Sequence, residues 1–364
     1  MKFTVVRSKF IDALQTAQNV VPAKHTIQIL MNCFIKAEEG KLTIISTDMD
    51  MSVKCVIDCE VEAPGSTTLP IKRLVNIVRE LSEGRITFDI DDNDVVKVKS
   101  GSSFFKINGL SPRDFPPVPA TEGTFCYRID QKDFRTMLRQ TYYAASTDET
   151  RRVLTGLLMA FKDSKLTMVA TDGRRLALIE NEVEFPAEAE KEVILPTKAV
   201  QELMRTLGDE GVLKIYTQKT QIIFEIGSTT ISTKLIEGVY PNYRQVVPGG
   251  CDERVTIERE QLLAALRRVS QIATDKSQAT KLTFSANQLT IVTLDPTTGE
   301  ARETMPVKYT GKEITVAFNP EYVMDPLKNL TDDEIYFEMS NGHSPVLVKC
   351  SLQFLYVLMP LRIN

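Results

Sequence analysis

The residues best placed to do chemistry are Thr171-Asp172-Gly173-Arg174-Arg175, a carboxylate beside two guanidinium groups. Used as a site, they would make a hydrolase centred on Asp172. Little else supports an enzyme. With only two histidines, His25 and His343, an imidazole acid–base or nucleophile relay is poorly supplied. No GxxxxGK(S/T) loop, no GxGxxG after a strand, no HExxH and no GxSxG occurs. Of the six cysteines, Cys55 and Cys59 share strand parity and raise a metal pair, yet neither histidine falls at a zinc-ligand spacing from any cysteine. Reduced, mostly buried thiols are expected, with no metal and no cofactor.

Asp172 also recurs. The run Lys41-Leu42-Thr43-Ile44-Ile45-Ser46-Thr47-Asp48 returns as Lys165-Leu166-Thr167-Met168-Val169-Ala170-Thr171-Asp172 and as Gln288-Leu289-Thr290-Ile291-Val292-Thr293-Leu294-Asp295, at steps of 124 and 123 residues. The aspartates at equivalent strand ends point to a turn-forming role, in which the carboxylate accepts from nearby backbone N–H groups. A second triplet follows each run, at Leu69-Pro70-Ile71, Leu195-Pro196-Thr197 and Asn319-Pro320-Glu321. The period is too long for a solenoid, whose units run about 20–50 residues, and it suits whole domains. Three tandem domains are expected at 1–122, 123–251 and 252–364, with boundaries in the proline-rich stretches Phe115–Pro119 and Tyr240–Gly250.

The elements that position these residues follow from periodicity. Each repeat opens on a strand and a helix capped at Ser8 or Asp130, with Phe134, Met137 and Leu138 at helical spacing. A second helix starts at each proline, read as a first-turn position, and the rest is strand with period-two alternation, as in Ile86–Ile90 and Ile222–Ile226. The domain is read as an α+β unit: one sheet with two helices on one face. The hydrophobic share of 43% and charged share of 25% are those of a soluble globular protein. Charge at the second residue argues against a signal peptide, and no apolar run suits a membrane span, so a cytoplasmic location is expected. Net charge is −4, but the six predicted helices hold thirteen basic against nine acidic residues, leaving the remainder at −8. A positive helical surface on an acidic protein fits contact with phosphate.

At Ala170-Thr171-Asp172-Gly173-Arg174-Arg175-Leu176-Ala177, Glu237-Gly238-Val239-Tyr240-Pro241-Asn242-Tyr243-Arg244 and Tyr356-Val357-Leu358-Met359-Pro360-Leu361-Arg362, the chain resembles the bacterial DNA sliding clamps, the beta subunits of DNA polymerase III. The resemblance covers the whole length. It implies a head-to-tail homodimeric ring of six domains around sequence-independent double-stranded DNA, with the helices lining the hole. It implies no catalysis. Its partners are the replicative polymerase, the clamp loader and other proteins carrying an extended apolar motif. By the same resemblance the partner cleft maps to Leu154, Thr171, Gly173, Arg174, Arg175, Leu176, Pro241, Val246, Val357, Met359, Pro360 and Leu361. Many relatives have His at the Arg174 position and a basic residue at Gln245, which bears on partner preference at the rim. DNA contacts map to Lys24, Arg73, Arg151, Arg152 and Lys198, with Arg205 and Lys276 added from helix charge. The dimer seam maps to Phe105 and Ile107 meeting Ile272 and Ala273. A repeat-built interaction scaffold that never encircles DNA is the rival reading.

Overall fold

The computed structural model describes residues 1–22, 26–118, 125–273, 279–350 and 353–362. Lys24, His25 and Lys276 therefore lie outside the described residues. The α helices are α1 (Arg7–Gln18), α2 (Ile71–Glu80), α3 (Gln131–Thr141), α4 (Thr197–Thr206), α5 (Arg259–Val269) and α6 (Pro320–Asn329), two per repeat. Helix α2 shows why they form: Ile71, Leu74, Val75 and Val78 make one buried stripe while Arg73, Arg79 and Glu80 stay exposed. Strands such as Arg85–Ile90 bury alternate residues, the period of a half-buried sheet.

Two compact units make up the chain, residues 1–134 with 201–235 and residues 135–200 with 236–364, so the division falls inside the second repeat. The first unit holds a five-stranded sheet in the order Glu60–Ala63, Lys2–Val6, Arg85–Ile90, Val95–Ser100, Ser103–Asn108. Beside it is an eight-stranded sheet of Cys126–Asp130, Val212–Thr217, Gln221–Ile226, Thr229–Lys234, Met51–Asp58, Lys41–Thr47, Asn32–Glu38 and Gly65–Pro70. The second unit holds eight strands, Lys191–Pro196, Gly156–Lys162, Lys165–Thr171, Arg175–Glu182, Phe354–Leu358, Val346–Lys349, Glu334–Met339 and Glu253–Glu258. Its other sheet is four-stranded, Gly299–Pro306, Gln288–Asp295, Thr280–Ser285 and Ile314–Phe318. The expectation of one sheet per repeat is corrected here. Each repeat divides its strands between two sheets, and both eight-stranded sheets cross a repeat junction, Thr229–Lys234 pairing with Met51–Asp58 and Arg175–Glu182 with Phe354–Leu358, each antiparallel. Strand edges of successive repeats satisfy one another's backbone groups, which a self-contained sheet would leave open.

Helix starts differ from expectation too. Ser8 lies inside α1, which begins at Arg7 with no side-chain cap. Pro70 and Pro196 close edge strands just before α2 and α4, where a missing N–H costs no ladder bond; only Pro320 occupies a first-turn position. The first residue of α1 and of α5 instead ties its helix to the helix that follows. Arg7 donates to the carbonyls of Val78 and Arg79 in the last turn of α2, and Arg259 to that of Leu327 in the last turn of α6 and to that of Asp332 just beyond it, placing a cation at each helix end.

Candidate functional site

The Thr171–Arg175 turn is a structural device repeated in the chain. Asp172 Oδ1 accepts from the N–H groups of Arg174 (2.8 Å) and Arg175 (3.0 Å), as Asp48 does from Asp50 and Met51, and Asp295 from Thr297 and Thr298. Thr171 Oγ1 accepts from Gly173 N–H and donates to the Arg175 carbonyl, and Thr47 makes the same pair of bonds with Met49 and Met51. With its oxygens engaged by the turn, Asp172 is not poised to activate water. Gly173 sits at φ +86°, and a Cβ there would come within 3.2 Å of Arg151 Nη1, so glycine suits both the left-handed backbone and the space.

Arg175 is the hub behind this turn. Its guanidinium bonds Asp172 Oδ2 (3.1 Å), Asp325 of α6 and the Tyr143 carbonyl (2.6 Å), and lies 4.3 Å from the Tyr322 ring centroid. Burial works against its charge, but Tyr356, Asp325 and Asp172 together hold its pKa above the ordinary value. Burial, and the nearness of Tyr356 and Asp325, push the Tyr143 phenol well up. Alternation from Leu176 puts Arg175 on the opposite face of its strand from the side chain of Leu176.

On the other face, Leu176 stands opposite Val357 in the strand pair. Both are buried in a cluster with Leu154, Leu158, Val169, Ile194, Tyr240, Tyr243 and Leu347. The cluster contains three of the expected cleft residues, Leu154, Leu176 and Val357. At the surface near it in sequence stand Val246 (48% exposed), Met359 (42%), Leu361 (37%), Pro241 and Arg174, while Pro360 and Thr171 are half-buried. The tail is fixed in place: Met359 N–H donates to the Arg174 carbonyl and Leu361 N–H to that of Ala317. Sequence reasoning missed Tyr240 and Tyr243 as members of this cluster, although both lie in the motif that carried the resemblance. A buried floor edged by exposed Val, Met and Leu is a surface that gains by covering, the form of a peptide-anchoring groove.

The helices are more basic than the sequence suggested, because the observed bounds add Arg7 and drop Asp130 and Glu258. They carry fourteen basic and seven acidic residues. Arg73 and Lys198 are exposed on α2 and α4; Arg205 is exposed and pairs with Glu202 at 3.3 Å. Arg152 is exposed, whereas Arg151 is engaged, bonding Asp148 (3.0 Å), Ser146 and the Asp172 carbonyl (2.8 Å). The structure thus places Arg151 beside the turn. Of the seam residues, Phe105 is half-buried and Ile107 is buried within its own unit, while the neighbouring Phe104, missed by sequence reasoning, is 57% exposed. Ile272 and Ala273 are half-buried, and the Ile272 carbonyl accepts from Thr298 at the foot of the edge strand Gly299–Pro306.

Three copies of one two-helix domain joined by continuous sheets, a basic set of helices and a buried apolar cluster with exposed Val246, Met359 and Leu361 at the second junction define a clamp-type protein. Among the described residues no group of His, Cys, Asp and Glu could hold a metal ion, and no helix is long and apolar enough to cross a membrane. Models of the DNA polymerase III beta subunit match in order: the N-terminal domain over residues 1–119, the central domain over 128–242 and the C-terminal domain over 244–362. The beta sliding clamps of Chlamydia muridarum and Caulobacter vibrioides are 31% and 32% identical, over the full length of both chains in each case. Among solved structures, a sliding clamp from Bartonella birtlesii bound to griselimycin is similar at TM-score 0.94 and 34% identity, and one from Bacillus subtilis at 0.96 and 26%, each covering both chains fully. The chain belongs to the DNA polymerase III beta subunit family. It functions as a DNA sliding clamp, a processivity factor and not an enzyme.

Proposed function

We propose that two copies of this chain close a head-to-tail ring around duplex DNA, that the helices carry the phosphate-facing charge, and that partners dock in the groove at the second junction. One observation carries the ring. At both junctions within the chain, the last strand of a repeat's hairpin pairs with the strand after the Asp turn, Thr229–Lys234 with Met51–Asp58 and Phe354–Leu358 with Arg175–Glu182. The remaining members of this series are Ser103–Asn108 and Gly299–Pro306, each at the edge of its sheet. Pairing the first of one copy with the second of another completes the pattern, and doing so twice closes a dimer in which neither of these two strand edges is left open. Phe105 and Ile107 belong to one such strand; Ile272 and Ala273 flank the other.

The domain boundaries are 1–122, 123–251 and 252–364. Duplex contact falls to Arg73, Lys198, Arg205 and Arg152, with Lys24 and Lys276 on the residues outside the description. Arg151 serves the cleft turn as well as, or in place of, phosphate. The cleft binds the replicative polymerase, the clamp loader and other motif-bearing proteins, with Leu154, Leu176 and Val357 as floor, Val246, Pro241, Met359, Pro360 and Leu361 as walls, and Thr171, Gly173, Arg174 and Arg175 as the turn. A DNA replication factor of this kind works in the cytoplasm. The test is retention on circular against linear DNA: a ring stays on a closed circle and slides off free ends, and equal retention would favour the scaffold that does not encircle.

A further inference from the structure

The internal repeat builds the cleft's frame twice, and the first junction holds a cavity at the equivalent place. Its volume is about 460 Å³, and it is lined by the Asp48 turn from Thr47 to Ser52, by Ser232, Thr233 and Lys234 of the paired strand, and by Pro116, Pro117 and Val118 of the linker. Those three segments match the turn ending at Leu176, the strand end at Val357 and the linker at Val246. Each linker leaves its strand at the same point, Leu110 N–H donating to the Thr68 carbonyl and Ile236 N–H to that of Ile194, two residues before Pro70 and Pro196, and Pro117 and Val246 follow in those linkers. The strand registers make the match exact to the residue: Leu176 opposes Val357 in one junction, and Ser52 opposes Ser232 in the other.

The chemistry is inverted. Where the cleft has an apolar pair, this cavity has two hydroxyls 2.5 Å apart, Ser52 Oγ and Ser232 Oγ, one donating to the other and one proton left to give. Gln221 also lines the cavity, and its Oε1 is buried with no hydrogen-bond partner among the described residues. A buried acceptor in that state is stabilised by any ligand that donates to it. On the rim, Asp50 and Lys234 pair at 3.0 Å, so the mouth carries no net charge. Met49, half exposed, and Pro117 supply apolar sides.

We propose that this cavity is a second peptide site, which takes an extended segment anchored by a neutral amide side chain, Asn or Gln. The amide N–H₂ donates to Gln221 Oε1, and its carbonyl accepts the spare serine proton. A Leu or Phe anchor leaves both unpaired, and a charged anchor meets no net counter-charge. The proposal rests on the cleft reading for its peptide ligand, since it is the shared frame that argues for an extended chain.

The test pans random dodecapeptides displayed on phage against the full-length protein, then measures synthetic hits by fluorescence anisotropy. Hits at this site should contain a recurrent Asn or Gln, weaken at least tenfold in Ser232→Val, Gln221→Leu and Pro117→Trp, and keep their affinity in Leu176→Ala. Pro117 is exposed, so its substitution blocks the groove without disturbing the core and stands as the control should a buried variant melt early. Absence of any hit sensitive to Pro117→Trp overturns the proposal, as do sensitive hits anchored by Leu or Phe with no amide. Hits sensitive only to Leu176→Ala report on the cleft alone, so failure of that class removes the cleft reading separately.

Discussion

Arg175 shows how one side chain can hold a binding surface that it does not form. It joins the Asp172 turn, α6 through Asp325 and the Tyr143 carbonyl, with only 10% of its side chain exposed. Removing Arg175 strips one partner from two half-buried carboxylates, Asp172 and Asp325, and from the Tyr143 carbonyl, at a cost of roughly 1–3 kcal/mol. Arg175→Ala should therefore lower the melting temperature and weaken peptide binding together, and Arg175→Lys should recover only part of either, because an ammonium cannot bond three acceptors in the fork geometry. Full recovery by lysine in a thermal melt would reduce Arg175 to a point charge. The thiols give a pH prediction. Burial pushes Cys33 up to about 12 and Cys55 up to about 11, from an ordinary 9.0. The folded state then keeps protons that the unfolded state releases above pH 9, so stability falls as pH rises toward 12, by at most about 1.4 kcal/mol per pH unit for each thiol. The urea midpoint should drop between pH 8 and 10, and less steeply in Cys33→Ala. An identical slope in the variant would refute the assignment to Cys33.

At the scale of elements, the seam can be given a register. Ile231 opposes Val53 and Tyr356 opposes Ala177 at the two junctions, and the hairpin positions equivalent to these are Phe105, which opposes Val98, and Ala301, which opposes Thr293. Across the dimer Phe105 should face Ala301, which sets Lys106 against Glu300 and Phe104 against Arg302. Opposite charges across a strand pair contribute roughly 0.2–1 kcal/mol, and like charges cost a similar amount. Lys106→Glu should thus weaken the dimer several-fold at each seam, and Lys106→Glu with Glu300→Lys should restore it, as read by sedimentation. Failure of the double reversal to restore the dimer would mean a shifted register, which moves every facing side chain.

For the whole molecule, the useful quantity is the separation of charge from net charge. The chain is −4 overall while its helices hold twice as many bases as acids. Arg73→Ala with Lys198→Ala should flatten the log–log salt dependence of DNA binding by about 0.9 per true phosphate contact, equally on every sequence. A loss that depended on sequence would mean that bases are read, contrary to sliding. Deleting residues 359–364 removes the bonds from Met359 to Arg174 and from Leu361 to Ala317 and strips the proposed groove of three apolar wall residues, Met359, Pro360 and Leu361. Each such anchor contributes about 1.5–3 kcal/mol when covered. The truncated protein should remain dimeric and stay on circular DNA, yet bind a Leu- or Phe-anchored motif peptide at least about tenfold more weakly in calorimetry. Unchanged affinity in a folded truncation would place the site elsewhere.

The sequence by itself determined the repeat, the tandem three-domain order, the helix stripes and the turn role of the three aspartates, because each depends on residues close together in the chain. Leu154, Leu176 and Val357 were expected to lie together only through resemblance, since nothing local in the sequence says which buried residues will meet. Only the tertiary structure decided that repeats share sheets, that Tyr240 and Tyr243 join the buried cluster of Leu154, Leu176 and Val357, that Arg151 bonds the Asp172 turn and that Ile107 is buried while Phe104 is exposed. These facts depend on which edges meet across more than a hundred residues of chain, and strand periodicity states that a residue faces in or out without saying what lies on either side.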